Sequence, residues 1–176
     1  MRQLDARLRE LSDRGEGAFA PFIVLGDPGP DETLRWIDAL AEGGADLFEF
    51  GFPYSDPPAD GPVIQAADAR ALAAGTTPED CFRILQIAHE RHGVPAALLV
   101  YANIVHAFGL RAFYRRCAEV GVDAVLVADV PLEESAPFVV AAREALAPGG
   151  TGAVNAIHFD RVAEFDYCAR WLEGGI

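Results

Sequence analysis

Two kinds of carboxylate lie close together in the stretch from Leu47 to Pro62, which reads LFEFGFPYSDPPADGP. Glu49 stands in a run that alternates strictly, with Leu47, Glu49 and Gly51 pointing one way and Phe48, Phe50 and Phe52 the other. An aromatic-rich run of period two is a strand with one face packed into an apolar layer. Glu49 lies on the face away from the phenylalanines. If that face is solvent, Glu49 is an ordinary surface acid. If it is the inside of a closed or closing sheet, the carboxylate has lost water and its pKa should rise. Asp56 and Asp60 follow on a segment, Pro53 to Pro62, that holds four prolines and so forms a stiff loop rather than more strand. One carboxylate on a desolvated strand and another on a wet loop make a general acid and general base with separated pKa values. The alternative for Asp60 is a turn residue, or an N-cap for a helix that begins at Pro62.

The elements around these residues read as parallel strand and helix units. Arg2 to Arg14 carries Leu4, Leu8 and Leu11 at helical spacing and ends at Gly15. Ala18 to Leu25 is a continuous apolar run that suits a buried parallel strand. The turn Gly26 to Pro30 leads to a helix capped by Asp31 and running to about Glu42. After the Glu49 strand, Pro62 to Ala73 is helical with Ile64, Ala67 and Leu72 inward, and Gly75 stops it. Thr77-Pro78-Glu79-Asp80 opens a helix that ends near His92. Ala96 to Tyr101 is the third strand, Leu110 to Val120 the third crossover helix, Ala124 to Ala128 the fourth strand, and Glu133 to Leu146 the fourth helix.

A weak internal repeat supports this order: Ala41 to Asp46 precedes the second strand as Ala118 to Asp123 precedes the fourth. Four βα units fit an open doubly wound sheet or a section of a (β/α)8 barrel, and an inward Glu49 favours the barrel. The polar loop residues Asp27, Asp56, Asp60, Asn103 and Asp129 all follow strand C-termini, where barrel active sites are assembled. Two units result: residues 1–147 as the N-terminal part of a TIM barrel, and 148–176 as a linker and an amphipathic tail helix.

Composition narrows the classes. A chain of 176 residues with net charge −13 is one acidic domain, which argues against nucleic acid and anionic membrane as partners. The charged N-terminal helix lacks the apolar segment of a signal peptide, and Cys81, Cys117 and Cys168 look like reduced thiols, so a cytoplasmic location is expected. His89 and His92 share a helix face without a third ligand nearby, read as surface or helix-end residues, and no metal is expected.

The segments PFIVLGDPG, FEFGFPYSDPPADGPVIQAA, LLVYANIVHAFG and VGVDAVLVADVPLEES together closely resemble the tryptophan synthase alpha subunit family, over about Gly15 to Ala145. The resemblance implies a (β/α)8 barrel that cleaves indole-3-glycerol phosphate to indole and glyceraldehyde 3-phosphate, with Glu49 and Asp60 as its catalytic residues. It places substrate-lining positions at Phe22, Ile64, Leu99, Tyr101 and Ala128. Contacts to a beta subunit fall on the Tyr54 to Pro62 and Asn103 to Gly109 loops, including Tyr54, Ser55, Asp56, Pro57 and Asn103. It implies no cofactor in this chain and pyridoxal phosphate in the beta partner.

The family pattern stops after Ala145. The phosphate-holding loops of the later strands have no counterpart here, and Gly149 to Gly152 reads as a tether or, less readily, an anion-binding nest. Phe159, Val162, Phe165 and Leu172 recur at helical spacing. Four units leave the first and fourth strands as open edges and a lumen side that bares Phe22, Leu98 and Leu126. The tail, a second copy or a separate chain is expected to cover it. The readings carried forward are the lyase, a non-catalytic truncated module that binds a beta subunit, and another phosphosugar barrel enzyme.

Overall fold

The computed structural model describes residues 3–145 and 156–157. The helices are α1 (Gln3–Arg14), α2 (Pro30–Glu42), α3 (Pro62–Ala73), α4 (Pro78–His92), α5 (Ala102–Phe108), α6 (Leu110–Glu119) and α7 (Ala136–Ala145). The strands are β1 (Phe22–Val24), β2 (Phe48–Gly51), β3 (Ala96–Val100), β4 (Ala124–Val127) and β5 (Ala156–Ile157). All pairings are parallel and the spatial order is the chain order, β1-β2-β3-β4-β5. An open doubly wound sheet would reverse its order at a switch point. Sequential order is that of a barrel wall.

Register makes the two faces legible. Phe22, Glu49, Ala97 and Ala124 form one row across the strands, and Val24, Gly51, Leu99 and Leu126 the next. Residues between them face the helices: Ile23, Phe50, Leu98 and Val125 are buried in a core with Ile37, Phe82, Phe113 and Phe138. Leu98, expected near the lumen, therefore belongs to the helix side, where it is 1% exposed. β3 is apolar on both faces, so its parity could not be told from its residues alone.

The aspartate repeat has a structural counterpart. Asp46 N–H donates to the Phe19 carbonyl while its carboxylate accepts the Phe19 N–H. Asp123 makes the same reciprocal pair with Ala96. Each aspartate thus pins the chain that enters one strand to the beginning of the strand before it, at Phe19 ahead of β1 and at Ala96 of β3, through a charge-assisted hydrogen bond.

Several boundaries differ from the sequence reading. α2 begins at Gly29-Pro30 with no side-chain cap, so Asp31 lies within its first turn. Pro30 supplies a preset φ there and needs no capping partner for its missing N–H. Leu72 is 39% exposed and Ala71 is the buried residue. α3 lies against the end of β1 through Ala67 and Ala71. The expected Asn103–Gly109 loop is α5, started by N–H groups of Ile104 and Val105 on the Tyr101 carbonyl and ended at Gly109. The helix expected from Glu133 splits into a 3-10 turn, Leu132–Glu134, and α7. β4 is not an open edge over Val125 and Leu126, because Ala156 and Ile157 pair with them. The tail helix from Phe159 and Cys168 fall outside the described residues.

Cys81 and Cys117 are buried free thiols, pushed up by burial. His92 meets Asp38 at 2.7 Å. His89 lies in the last turn of α4, as the helix-end reading expected, and is half-buried with its ring against Gly121, where any Cβ would come within 2.5 Å of the imidazole. Among the described residues no cluster of side chains suited to a metal ion occurs, and no helix is long and apolar enough to cross a membrane.

α4 carries a complete capping box: Thr77 Oγ1 accepts the Asp80 N–H, and the Asp80 carboxylate accepts the Thr77 N–H. Thr77→Ala removes one half of it and is expected to lower stability by about 1 kcal/mol in urea unfolding.

Candidate active site

Glu49 projects from β2 into the face away from the helices, flanked in its row by Phe22 and Ala97. It is half-buried, and burial alone pushes its carboxyl above the usual range. Lost hydration disfavours the charged form, so the group keeps its proton closer to neutrality than an exposed glutamate does. That is the condition for a proton donor.

Two residues on, Gly51 leaves room for an aromatic ring. A Cβ at Gly51 would stand 2.7 Å from Cζ of Phe22, so the Phe22 ring crosses the sheet face where a side chain would otherwise sit. Val24, Ala67 and Ala71, with Phe22 and Ile64 against them, form an apolar cluster at this end of β1. Leu99 is half-buried on the same face as Glu49, and Ala128, half-buried, follows β4 with its N–H on the Val100 carbonyl.

Asp60 is not a helix cap; Gly61 holds that position without a side-chain bond. Its carboxylate instead accepts the Tyr101 hydroxyl at 2.7 Å, and the same hydroxyl accepts the Ala59 N–H at 3.2 Å. Tyr101 is buried, and burial followed by the bond to Asp60 raises its hydroxyl well above the usual value. The Tyr54 ring stacks on Tyr101 at 5.1 Å, and Asn103 Nδ2 donates to the Tyr54 hydroxyl at 2.9 Å. The loop after β2 is thereby tied to the end of β3. Ser55 and Asp56, bonded to each other, and Asn103 are exposed; Tyr54 is half-buried and Pro57 is buried.

The other loop carboxylates have structural partners. Asp27, 4% exposed, accepts a bidentate pair from Arg70 at 2.8 and 2.7 Å. Asp129 accepts the Ala102 N–H at the start of α5. Sequence reasoning missed Arg70 and also Asp68, a carboxyl 4% exposed on α3 that interacts with Asp60. The signal for Asp68 was present: it is an acid between Ala67 and Ala71 on an otherwise apolar helix stripe.

Comparisons with known proteins bear on this geometry. A family model described as tryptophan synthase alpha chain matches residues 8–147, a little beyond the span of the motif resemblance at either end. Tryptophan synthase alpha chains from Klebsiella pneumoniae and Shewanella amazonensis are 56% and 61% identical over 150 and 145 residues. Those matches cover 84% and 81% of this chain and 56% and 53% of the relatives. The chain thus spans about half the length of the curated relatives it matches. The crystal structure of tryptophan synthase subunit alpha from Legionella pneumophila superposes with a TM-score of 0.79 at 32% identity, covering 82% of this chain and 56% of that one. A tryptophan synthase complex from Pyrococcus furiosus does so with a TM-score of 0.73 at 32% identity, covering 81% and 55%.

Proposed function

The chain belongs to the tryptophan synthase alpha chain family, and from that premise we propose that its site is the proton-transfer half of an indole-3-glycerol phosphate lyase. The observation that carries this reading is Glu49, a carboxyl whose hold on its proton burial strengthens, on the open face beside the Phe22 ring. Cleaving the carbon–carbon bond at indole C3 needs that carbon protonated. The ring then loses aromaticity and positive charge develops on its nitrogen. Glu49 donates the proton, and Asp60, aimed by Tyr101, accepts the ring N–H and offsets the charge. A carboxylate then takes the glycerol hydroxyl proton. The bonding pair returns to the indole ring and the aldehyde leaves.

Phe22, Ile64, Leu99, Tyr101 and Ala128 supply apolar and aromatic surface for the indole. The exposed Ser55, Asp56 and Asn103, with Tyr54 and Pro57 beneath them, form the surface offered to a beta subunit that carries pyridoxal phosphate. Structures of whole tryptophan synthase complexes among the similar proteins support that partner. The resemblance places the substrate phosphate on loops that follow the later strands of the family barrel, so cleavage is expected where those loops are present.

The test is indole and glyceraldehyde 3-phosphate released in equal amounts from indole-3-glycerol phosphate, with the chain alone and with a beta subunit. A second reading, a non-catalytic module, draws on the same exposed loop. Stimulation of a beta subunit that is equal for wild type and Glu49→Gln, with no indole released, would select it.

A further inference from the structure

We propose that Tyr54, held in turn by Asn103, is a positioning residue for Asp60, whose task at the ring nitrogen rests on the lyase reading. The loop between β2 and α3 is gripped at both ends by one corner of the fold, Tyr101 to Asn103. At the far end of the loop, the Tyr101 hydroxyl donates to Asp60 Oδ2 at 2.7 Å and accepts the Ala59 N–H at 3.2 Å. A hydroxyl has a single proton, so this one is committed to Asp60 while Ala59 takes a lone pair. At the near end, the Tyr54 ring stacks on the Tyr101 ring, with 5.1 Å between centroids and 26° between planes. The Tyr54 hydroxyl accepts Asn103 Nδ2 at 2.9 Å.

The gripping corner is itself fixed. Tyr101 is buried, and its carbonyl accepts the N–H groups of Ile104 and Val105 as α5 begins. The Ala102 N–H is bound by Asp129, so Asn103 offers its amide from backbone secured on both sides. The stacked Tyr54 ring covers one face of Tyr101 and limits how far that ring, and the carboxylate bonded to it, can swing. Between the two grips the loop holds Pro57, which is buried, and Pro58. Their fixed φ angles make the segment stiff, so releasing Tyr54 at one end frees Asp60 at the other. Asn103 is exposed and Tyr54 half-buried, so their bond competes with water and adds little to overall stability. The resemblance gives both residues to a beta subunit; the clasp gives them a task inside this chain.

The experiment compares Tyr54→Phe, which keeps the stack and loses the hydroxyl, with Asn103→Ala and the double variant, on the whole chain without a beta subunit. In amide ¹⁵N NMR, Tyr101→Phe marks the released position of the Ala59 and Asp60 amides. Each single variant is expected to move both amides part of the way along that same line, and the double variant no further than either. In indole release, measured with the barrel wall completed, each should lower kcat about two- to tenfold, the factor of one neutral hydrogen bond. KM should not change, because Asp60 acts on charge present only in the transition state. In an Asp60→Asn background the same substitutions should cost nothing more. Ala59 and Asp60 amides that keep their wild-type positions, effects of the two substitutions that add, or a loss seen only with a beta subunit present would each overturn the clasp. Should Tyr54→Phe fail to fold, the exposed Asn103→Ala decides the matter by the same amides. Because the NMR readout needs no turnover, a chain whose amides move as stated but that releases no indole overturns only the lyase reading.

Discussion

Glu49→Gln is expected to lower indole release, measured with the barrel wall completed, by about two to four orders of magnitude, the range for a positioned proton donor. Glutamine matches glutamate in size, so the Phe22 ring, Gly51 and the β2 register are kept while the transferable proton is lost. The pH profile separates this from a packing defect. Burial raises the Glu49 carboxyl, so the donor form is present in acid and is lost as pH rises through its elevated pKa. That basic limb should vanish in the variant. Stability should move the opposite way. A carboxyl with a raised folded-state pKa is neutral in acid and must ionise in a dry site above it, so glutamine is expected to stabilise the fold at neutral and basic pH. At a pH below the ordinary carboxylate range it should make no difference. A variant with undiminished turnover would exclude Glu49 as the donor.

Phe82→Ala is expected to destabilise the chain by about 3–5 kcal/mol, the usual cost of removing a fully buried aromatic ring. Phe82 is 0% exposed and sits at the centre of the aromatic core. It meets Phe52 at 5.2 Å, Phe108 at 5.2 Å and Phe113 at 5.6 Å, in edge-on or tilted arrangements that suit the ring quadrupoles. Those partners come from the end of β2, from α5 and from α6, so the cavity cannot close by moving one element. A loss of that size is a large share of the roughly 5–15 kcal/mol that holds a domain folded. The midpoint of urea unfolding should fall with an unchanged slope, and Phe82→Leu should recover part of the loss. Phe52 directly precedes the loop that carries Asp60, so the same cavity should also loosen the Tyr101 to Asp60 bond. A midpoint within experimental error of wild type would mean that the aromatic cluster is not the keystone of the helix-side core.

How far the site was legible depended on whether a residue acts through its neighbours in sequence or through contacts made by folding. Glu49 could be assigned because its strand carries phenylalanines at every second position. The period of two then forces the acid onto the opposite face. β3 offers no such contrast, and Leu98 was placed on the wrong side for that reason. α5 was read as a loop because its run is short and starts on the Tyr101 carbonyl, a bond no pattern announces. Asp60 was read with a helix cap as its alternative, and the structure gives it to Tyr101, forty-one residues away.

The chain's own residues therefore determined the order of the first four strands, the opening of α4 at Thr77, the aspartate repeat and the direction of Glu49. Each of these follows from local sterics, periodicity or a hydrogen bond between residues in an evident repeat. The tertiary structure alone decided which acids share a neighbourhood. It gave Asp27 to Arg70, Asp60 to Tyr101, and left Asp68 dry beside them, because burial and Coulomb coupling depend on distances that only packing sets.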